Sequence, residues 1–108
     1  MVTSRLTGLR DSDISGRRGR VAESVALPPE QLGVLDPAGG LTLDQADHMI
    51  ENVVGVLGIP LGIGTNFVVD GVDRLIPMAT EEPSVVAAAG NAARMAREHG
   101  GIDRKSVV

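Results

Sequence analysis

Phe67 is the only aromatic residue in this 108-residue chain, so the chain cannot fold around the large rings that anchor most cores. Its interior has to be assembled from Val, Leu, Ile, Ala and Met, which demands many small contacts at close range. The 14 glycines fit that picture, marking turns and places where backbones approach one another. At this length one domain with a genuine core is the expectation.

Charge and residue usage narrow the chemistry. A net charge of −4 argues against a general nucleic-acid binder, which needs excess Lys and Arg to neutralise phosphates. With no cysteine, disulfides, zinc–thiolate sites and cysteine nucleophiles are excluded, and a cytoplasmic location is expected. The opening MVTSRLTGLRDSD has no apolar core, so no signal peptide is expected. No apolar run approaches the roughly 20 residues a membrane span needs. The longest weakly polar stretch, residues 53–65, is broken by Pro60 and four glycines.

The local pattern reads as α+β, with helices around a β-hairpin. An irregular arm over residues 1–9 leads to a helix over 11–26, started by Asp11 or Ser12. Ile14, Val21 and Val25 share one face of it, although Gly16 and Gly19 each cost about 1 kcal/mol against Ala. A short helix follows the Pro28-Pro29 pair as far as Leu35, and residues 36–40 are turn chemistry. The clearest helix runs from Thr42 or Asp44 to Leu57, with Ala46, Met49, Ile50, Val53, Val54 and Leu57 at spacings of three and four. Gly58 and Pro60 stop it, and 61–65 is a glycine-rich connection. Two β-branched runs flank Asp70-Gly71, a type I′ hairpin signal, with strands over 66–69 and 72–78. The last helix spans 83–99, with Glu82 at the N-cap, Pro83 at N1 and Gly100-Gly101 as the stop. Val85, Ala88, Ala89, Ala92, Ala93 and Ala96 form its small-residue face.

Self-contained chemistry is sparse. His48 and His99 have no partners at metal-ligand spacing, so no metal site is expected. The glycines at 55, 58, 62 and 64 do not form a dinucleotide fingerprint, and no phosphate loop follows them. The arginines at 5, 10, 17, 18 and 20 read as a solvated basic face rather than an anion site. Glu81 and Glu82 stand between a strand and a helix. Capping explains such carboxylates by default, yet this junction is also where functional residues are displayed.

Two stretches carry a resemblance. Met49-Ile50-Glu51-Asn52-Val53-Val54-Gly55, then Ile59-Pro60, then Asn66-Phe67-Val68-Val69-Asp70-Gly71, resembles the Glu-Asn-Val-Ile-Gly region of hydroxymethylglutaryl-CoA reductases. The segment from Ile76 through Glu81-Glu82-Pro83-Ser84 to Ala89 is similar to the family's catalytic-glutamate segment, in its class II (bacterial and archaeal) form. Ser4-Arg5-Leu6 and Arg10 match the way class II chains begin. The register holds over residues 4–102, with two departures: Val-Val-Gly for Val-Ile-Gly, and Gly16 and Gly19 where the family has a firmer helix.

The resemblance implies an oxidoreductase: NADH- or NADPH-dependent reduction of 3-hydroxy-3-methylglutaryl-CoA to mevalonate and CoA, or the reverse in mevalonate degradation. It implies four catalytic groups, a glutamate, a lysine, an aspartate and a histidine. Glu82, directly before the helix, matches the glutamate, and Glu81 is the weaker candidate. Such a carboxyl gives a proton to the developing alkoxide, which requires a raised pKa, usually through burial. Ser84 is expected near the acyl part of the substrate and Arg10 near a CoA phosphate. Glu51 and Asn52 are expected at the interface of the family's dimer, or supporting the active site from behind.

Residues 1–102 thus read as the N-terminal part of the family's large, substrate-binding domain. The lysine, aspartate, histidine and nicotinamide-binding domain fall beyond this length, so the chain alone is expected to be inactive. Residues 103–108 do not resemble the family. Asp-Arg-Lys-Ser-Val-Val is what one frame of a common sequencing adapter encodes, with a natural truncation or divergent tail as the alternative. Two other function classes stay open: a non-catalytic dimerisation module, and a CoA-ester binder without chemistry.

Overall fold

A computed structural model of the chain describes residues 3–37 and 40–103. Its centre is an antiparallel hairpin, β1 (Leu61–Val69) and β2 (Val72–Ala79), with helix α3 (Val85–Arg97) packed on β1. The N-terminal part adds a 3-10 turn (Leu9–Asp11), helix α1 (Ile14–Val25) and a 3-10 segment (Pro29–Leu35). A short helix α2 (Leu43–Asp47) precedes the hairpin. The α+β expectation holds.

The hairpin turn is the one the sequence specifies. Asp70 and Gly71 both take positive φ, 51° and 78°, as a type I′ turn requires. β1 begins earlier than expected. Gly62, Ile63 and Gly64 pair with Met78, Pro77 and Ile76, so the glycine-rich connection is strand. Its glycines serve packing: a Cβ on Gly62 would meet Val86 at 3.1 Å, and one on Gly64 would meet Phe67 at 3.0 Å. A bulge follows, because Gly64 opposes Ile76 while Phe67 opposes Arg74. Asn66 sits in that bulge with φ 69°, a conformation asparagine tolerates better than most residues.

α3 lies on β1 through its smallest residues. Gly90 and Ala93 are buried, and a Cβ on Gly90 would touch Thr65 Oγ1 at 3.4 Å. The packed stripe therefore runs through Val86, Gly90, Ala93 and Arg97, whereas Ala88 and Ala92, expected on the packed face, are exposed. Gly100 and Gly101 end the helix with φ 93° and 89°. The chain then returns beside β1, where Ile102 N–H donates to Val68 O at 2.7 Å and Asp70 N–H donates to Ile102 O at 2.9 Å. The change of character expected after Ile102 falls mostly outside the described residues.

Two expected helices differ. α1 is capped by Asp13, whose Oδ1 accepts from Gly16 N–H at 2.7 Å, and not by Asp11 or Ser12. Ile14, placed on the packed face by spacing, is exposed, while Ala22 and Ser24 are buried. The largest correction concerns the helix expected from Thr42 to Leu57. Its start is right, since Thr42 and Gln45 form a reciprocal capping box, but α2 ends at Asp47. Residues 48–52 are turns and bends, and 53–60 have no regular structure. Beyond the buried Ala46, most of the apolar stripe is exposed among the described residues, and a stripe with so little tertiary cover rarely holds a helix. Val53, Val54, Gly55 and Gly58 are weak helix formers besides.

Burial among the described residues is thin. The buried hydrophobic residues are Ala22, Ala46 and Ala93, and no large apolar side chain joins them. Met49, Ile50, Val54, Leu57 and Ile59 are exposed, Leu57 at 88 %.

Candidate functional site

Glu82 lies on the junction between β2 and α3. Thr80 shapes it, donating its own N–H to Pro60 O at 3.1 Å and accepting Glu82 N–H on Oγ1 at 3.1 Å. Pro83 then restricts Glu82 to an extended backbone. The expected caps move by two residues: α3 starts at Val85 and its N-cap is Ser84, with no side-chain cap bond. Ser84 takes φ 74°, a left-handed conformation that costs a non-glycine residue about 1–3 kcal/mol and clusters at functional turns.

A cleft of about 720 Å³ opens between this junction, α3, β1 and the N-terminal arm. It brings together Arg10, Glu82 and Ser84, three expected site residues that are up to 74 positions apart in the chain. Glu81 does not line it. The far wall is the arm, Leu6–Arg10, and the floor includes Gly62, Ile63, Thr65, Val86 and Gly90. The expected pair Glu51 and Asn52 lies elsewhere: both are exposed in the turn after α2, with Asn52 at φ 58°.

Sequence reasoning did not place six polar residues of this cleft there: Thr7, Arg17, Thr65, Asn66, Asn91 and Arg94. A signal existed for two of them. Ala87, Asn91 and Arg94 recur at helical spacing on α3, beside the packed stripe. Arg94 donates to Asn91 Oδ1 at 2.9 Å. The basic face is also less solvated than expected. Arg17 donates to Leu9 O at 3.1 Å and Arg10 O at 2.9 Å, Arg20 to Thr7 O at 2.8 Å, and Arg18 pairs with Asp36 at 2.9 Å. Arg17 and Arg20 fasten the arm through its carbonyls. Among the described residues, the Arg10 guanidinium and the Glu82 carboxylate have no hydrogen-bond or ion-pair partner; with Arg17 and Arg94, the cleft is lined by three arginines and one carboxylate.

Behind the arm lies a polar knot that sequence spacing gave no hint of. Ser4 is fully buried. Its N–H donates to Asp73 Oδ2 at 2.7 Å, and its carbonyl accepts from Asn66 N–H at 2.8 Å. The Ser4 hydroxyl can donate to Phe67 O at 2.8 Å or to Asp73 Oδ2 at 3.0 Å. Arg97 donates to Ser4 Oγ at 3.0 Å and pairs with Asp73 at 3.1 Å. The hydrogen bond from the Ser4 backbone N–H is the largest single influence holding the Asp73 carboxyl below its ordinary value, joined by the Arg97 guanidinium and the Ser4 hydroxyl and opposed by burial.

Among the described residues, no group of three or more His, Asp or Glu is placed to hold a metal ion, and no helix is long and apolar enough to cross a membrane. The residues present do not suit a dinucleotide either. The cleft-side glycine of β1, Gly62, is filled by Val86 instead of lying open to a pyrophosphate, and α3 meets the cleft through the strained Ser84 rather than a glycine-rich loop.

The family model for hydroxymethylglutaryl-coenzyme A reductase matches residues 13–108. The 3-hydroxy-3-methylglutaryl-coenzyme A reductase of Archaeoglobus fulgidus is 55 % identical over 100 residues, which is 93 % of this chain and 23 % of that protein. A probable reductase of the same name from Borreliella burgdorferi is 48 % identical over 48 residues, covering 44 % of this chain and 11 % of that one. In structure, the class II reductase of Streptococcus pneumoniae, solved bound to NADPH, superposes with a TM-score of 0.79 at 31 % identity, over 90 % of this chain and 26 % of its own. The chain thus spans about a quarter of the length of the proteins it matches over most of its length. By sequence and by fold, the chain belongs to the hydroxymethylglutaryl-coenzyme A reductase family.

Proposed function

We propose that this chain supplies the catalytic glutamate and one side of the substrate cleft to a hydroxymethylglutaryl-CoA reductase, as part of its large domain. The observation that carries the reading is the convergence of Arg10, Glu82 and Ser84 on one cleft from opposite ends of the chain. Glu82 gives a proton to the oxygen that develops negative charge on the former thioester carbon. Ser84 hydrogen-bonds the acyl portion, and Arg10 reaches a CoA phosphate, for which a guanidinium is well suited. A nicotinamide, NADH or NADPH, supplies hydride in the whole enzyme. The residues here do not cradle it, so its site belongs to other parts of the protein. The same holds for the lysine, aspartate and histidine that the family pairs with the glutamate.

Glu82 is exposed in this chain. The burial that a proton-donating carboxyl needs comes from the remaining domains, or from a second subunit of a cytoplasmic homo-oligomer. Glu51 and Asn52 lie beside the exposed apolar residues 49–59, which suits a place at that subunit interface. The 108-residue chain alone has no reductase activity on this reading.

The test is a full-length enzyme in which this segment replaces its counterpart in the Archaeoglobus fulgidus reductase. Glu82→Gln is expected to lower kcat by about 10²- to 10⁴-fold with little change in KM, and Glu81→Gln by only a few fold. Equal losses at both positions, or none at Glu82, would remove Glu82 from the role. The exposed strip also favours a second reading, a non-catalytic dimerisation module. A stable homodimer of the isolated chain by size-exclusion chromatography with light scattering is its signature. The third, a CoA-ester binder, predicts thermal stabilisation of the isolated chain by CoA that Arg10→Ala abolishes.

A further inference from the structure

Asp73 lies outside the cleft, as do Ser4 and Arg97. Together they nevertheless fix where the cleft's far wall begins. The bulge in β1 is what lets the arm dock. With residues 65 and 66 opposite a single residue of β2, Asn66 N–H is released from the ladder and is taken by Ser4 O at 2.8 Å. Asp73 then closes on Ser4 N–H from β2, and Arg97 closes on both from α3. Ser24 Oγ donates to Thr3 O at 2.7 Å and completes the enclosure from α1. Three elements thus converge on one buried serine and a fourth holds its neighbour Thr3, and from Ser4 the arm runs six residues to Arg10. Beyond Ser4 the arm's fastenings are exposed or part-exposed contacts from Arg20 and Arg17. The knot is the arm's buried anchor.

We infer that Asp73 is a positioning residue, which through Ser4 and Arg97 fixes the Leu6–Arg10 wall so that Arg10 meets the phosphate of a CoA thioester. This rests on the reading of Arg10 given above. Asp73 touches no substrate. Its effect reaches the cleft only through the arm, so it acts on binding of the nucleotide end and leaves the reacting carbon alone.

The experiment uses the full-length chimeric reductase with two substrates, 3-hydroxy-3-methylglutaryl-CoA and the corresponding pantetheine thioester, which lacks the nucleotide phosphates. Asp73→Asn is expected to raise KM for the CoA ester about tenfold, the scale of one lost charge-assisted hydrogen bond, with kcat within about twofold. KM for the pantetheine ester stays unchanged. Asp73→Glu restores part of the loss. Ser4→Ala keeps both backbone bonds and the Asp73–Arg97 pair, and gives a smaller rise of about two- to threefold on the CoA ester alone; it decides the matter if Asp73→Asn does not fold. Arg10→Ala separates the two proposals. If Arg10→Ala raises KM for the CoA ester while neither knot variant does, the positioning role is overturned and the reading of Arg10 stands. If Arg10→Ala leaves KM unchanged, the reading of Arg10 fails first. Equal losses on both substrates in the knot variants mean general destabilisation and overturn the inference.

Discussion

The two apolar regions of this chain have similar ingredients and opposite fates. Residues 61–102 contain glycines, alanines and valines that close on one another: β1 on β2, α3 on β1, and Ile102 back beside β1. Residues 41–60 contain larger side chains at helical spacing, yet α2 stops after five residues and the rest lies open. Hydrophobic content therefore does not decide which region orders. What decides it is whether a second surface lies within reach. Around Gly62 and Gly90 the small residues let such a surface approach, whereas in the 41–60 strip only Ala46 is buried and the large apolar side chains are mostly exposed among the described residues.

The sharpest way to break this contrast is to add one methyl group to each region. Gly101 has φ 89°, and a Cβ there would run into Val68 O and the Val68 side chain. Gly101→Ala is expected to destabilise by about 3 kcal/mol or more, from backbone strain and overpacking together. Thermal melting of the chimeric enzyme measures it. Gly58 has open space around its Cβ position and no positive φ. Gly58→Ala is expected to be neutral, or to stabilise by up to about 1 kcal/mol by reducing the freedom of the unfolded chain. Similar effects at both sites would mean that the two regions do not differ in packing as described.

Asp73 gives the next largest effect, and one with a pH signature. Its carboxyl is held below the ordinary value of 3.8, first by the Ser4 N–H. The ionised form is therefore the one that stabilises the fold. Its contribution is complete above the ordinary carboxylate range and is lost as pH falls through the lowered folded value. Asp73→Asn is expected to cost about 1–3 kcal/mol at neutral pH, and its gap from the parent narrows below about pH 4. Denaturant unfolding across pH 2.5–7 reads this out, with approximate limits set by those carboxylate values. The Asp44–His48 pair is the comparison in the open region: both side chains are largely exposed, at 90 % and 76 %, and His48→Ala is expected to leave the unfolding midpoint unmoved. A constant gap at every pH would detach Asp73 from the ionised knot.

Most of what was legible in the sequence was local. Asp70-Gly71 fixes its own turn, Gly100-Gly101 its own helix stop, and Thr42 with Gln45 its own cap, because each is decided within a few residues. Non-local features were hidden. No spacing rule connects Ser4 to Asp73 or Arg97, and the extension of β1 through Gly62 and Gly64 depends on Val86 and Met78 filling what the glycines leave. The helix expected over 42–57 failed for the same reason in reverse, since helical spacing records a face and not whether anything covers it. The resemblance reached Arg10, Glu82 and Ser84, which the cleft unites. It gave no role to Arg17, Asn66, Asn91 or Arg94, whose part comes from the way the arm and α3 meet.

The smallest expected effect tests cover directly. Val54 and Leu57 are among the most exposed large apolar residues described, and their replacement removes no contact that orders the chain. In the isolated 108-residue protein, Val54→Asp with Leu57→Asp is expected to leave the unfolding midpoint within about 0.5 kcal/mol, as surface changes do. It should also raise solubility, because an apolar strip of this kind drives association. In the full-length chimera the same pair should instead weaken subunit or domain association, seen as a concentration-dependent drop in activity. If the pair unfolds the isolated chain, residues 41–60 pack against the hairpin unit and the contrast between the two regions is wrong. If it changes neither protein, the strip stays open to water even in the whole enzyme. Its apolar character would then have to be explained by something other than a missing partner.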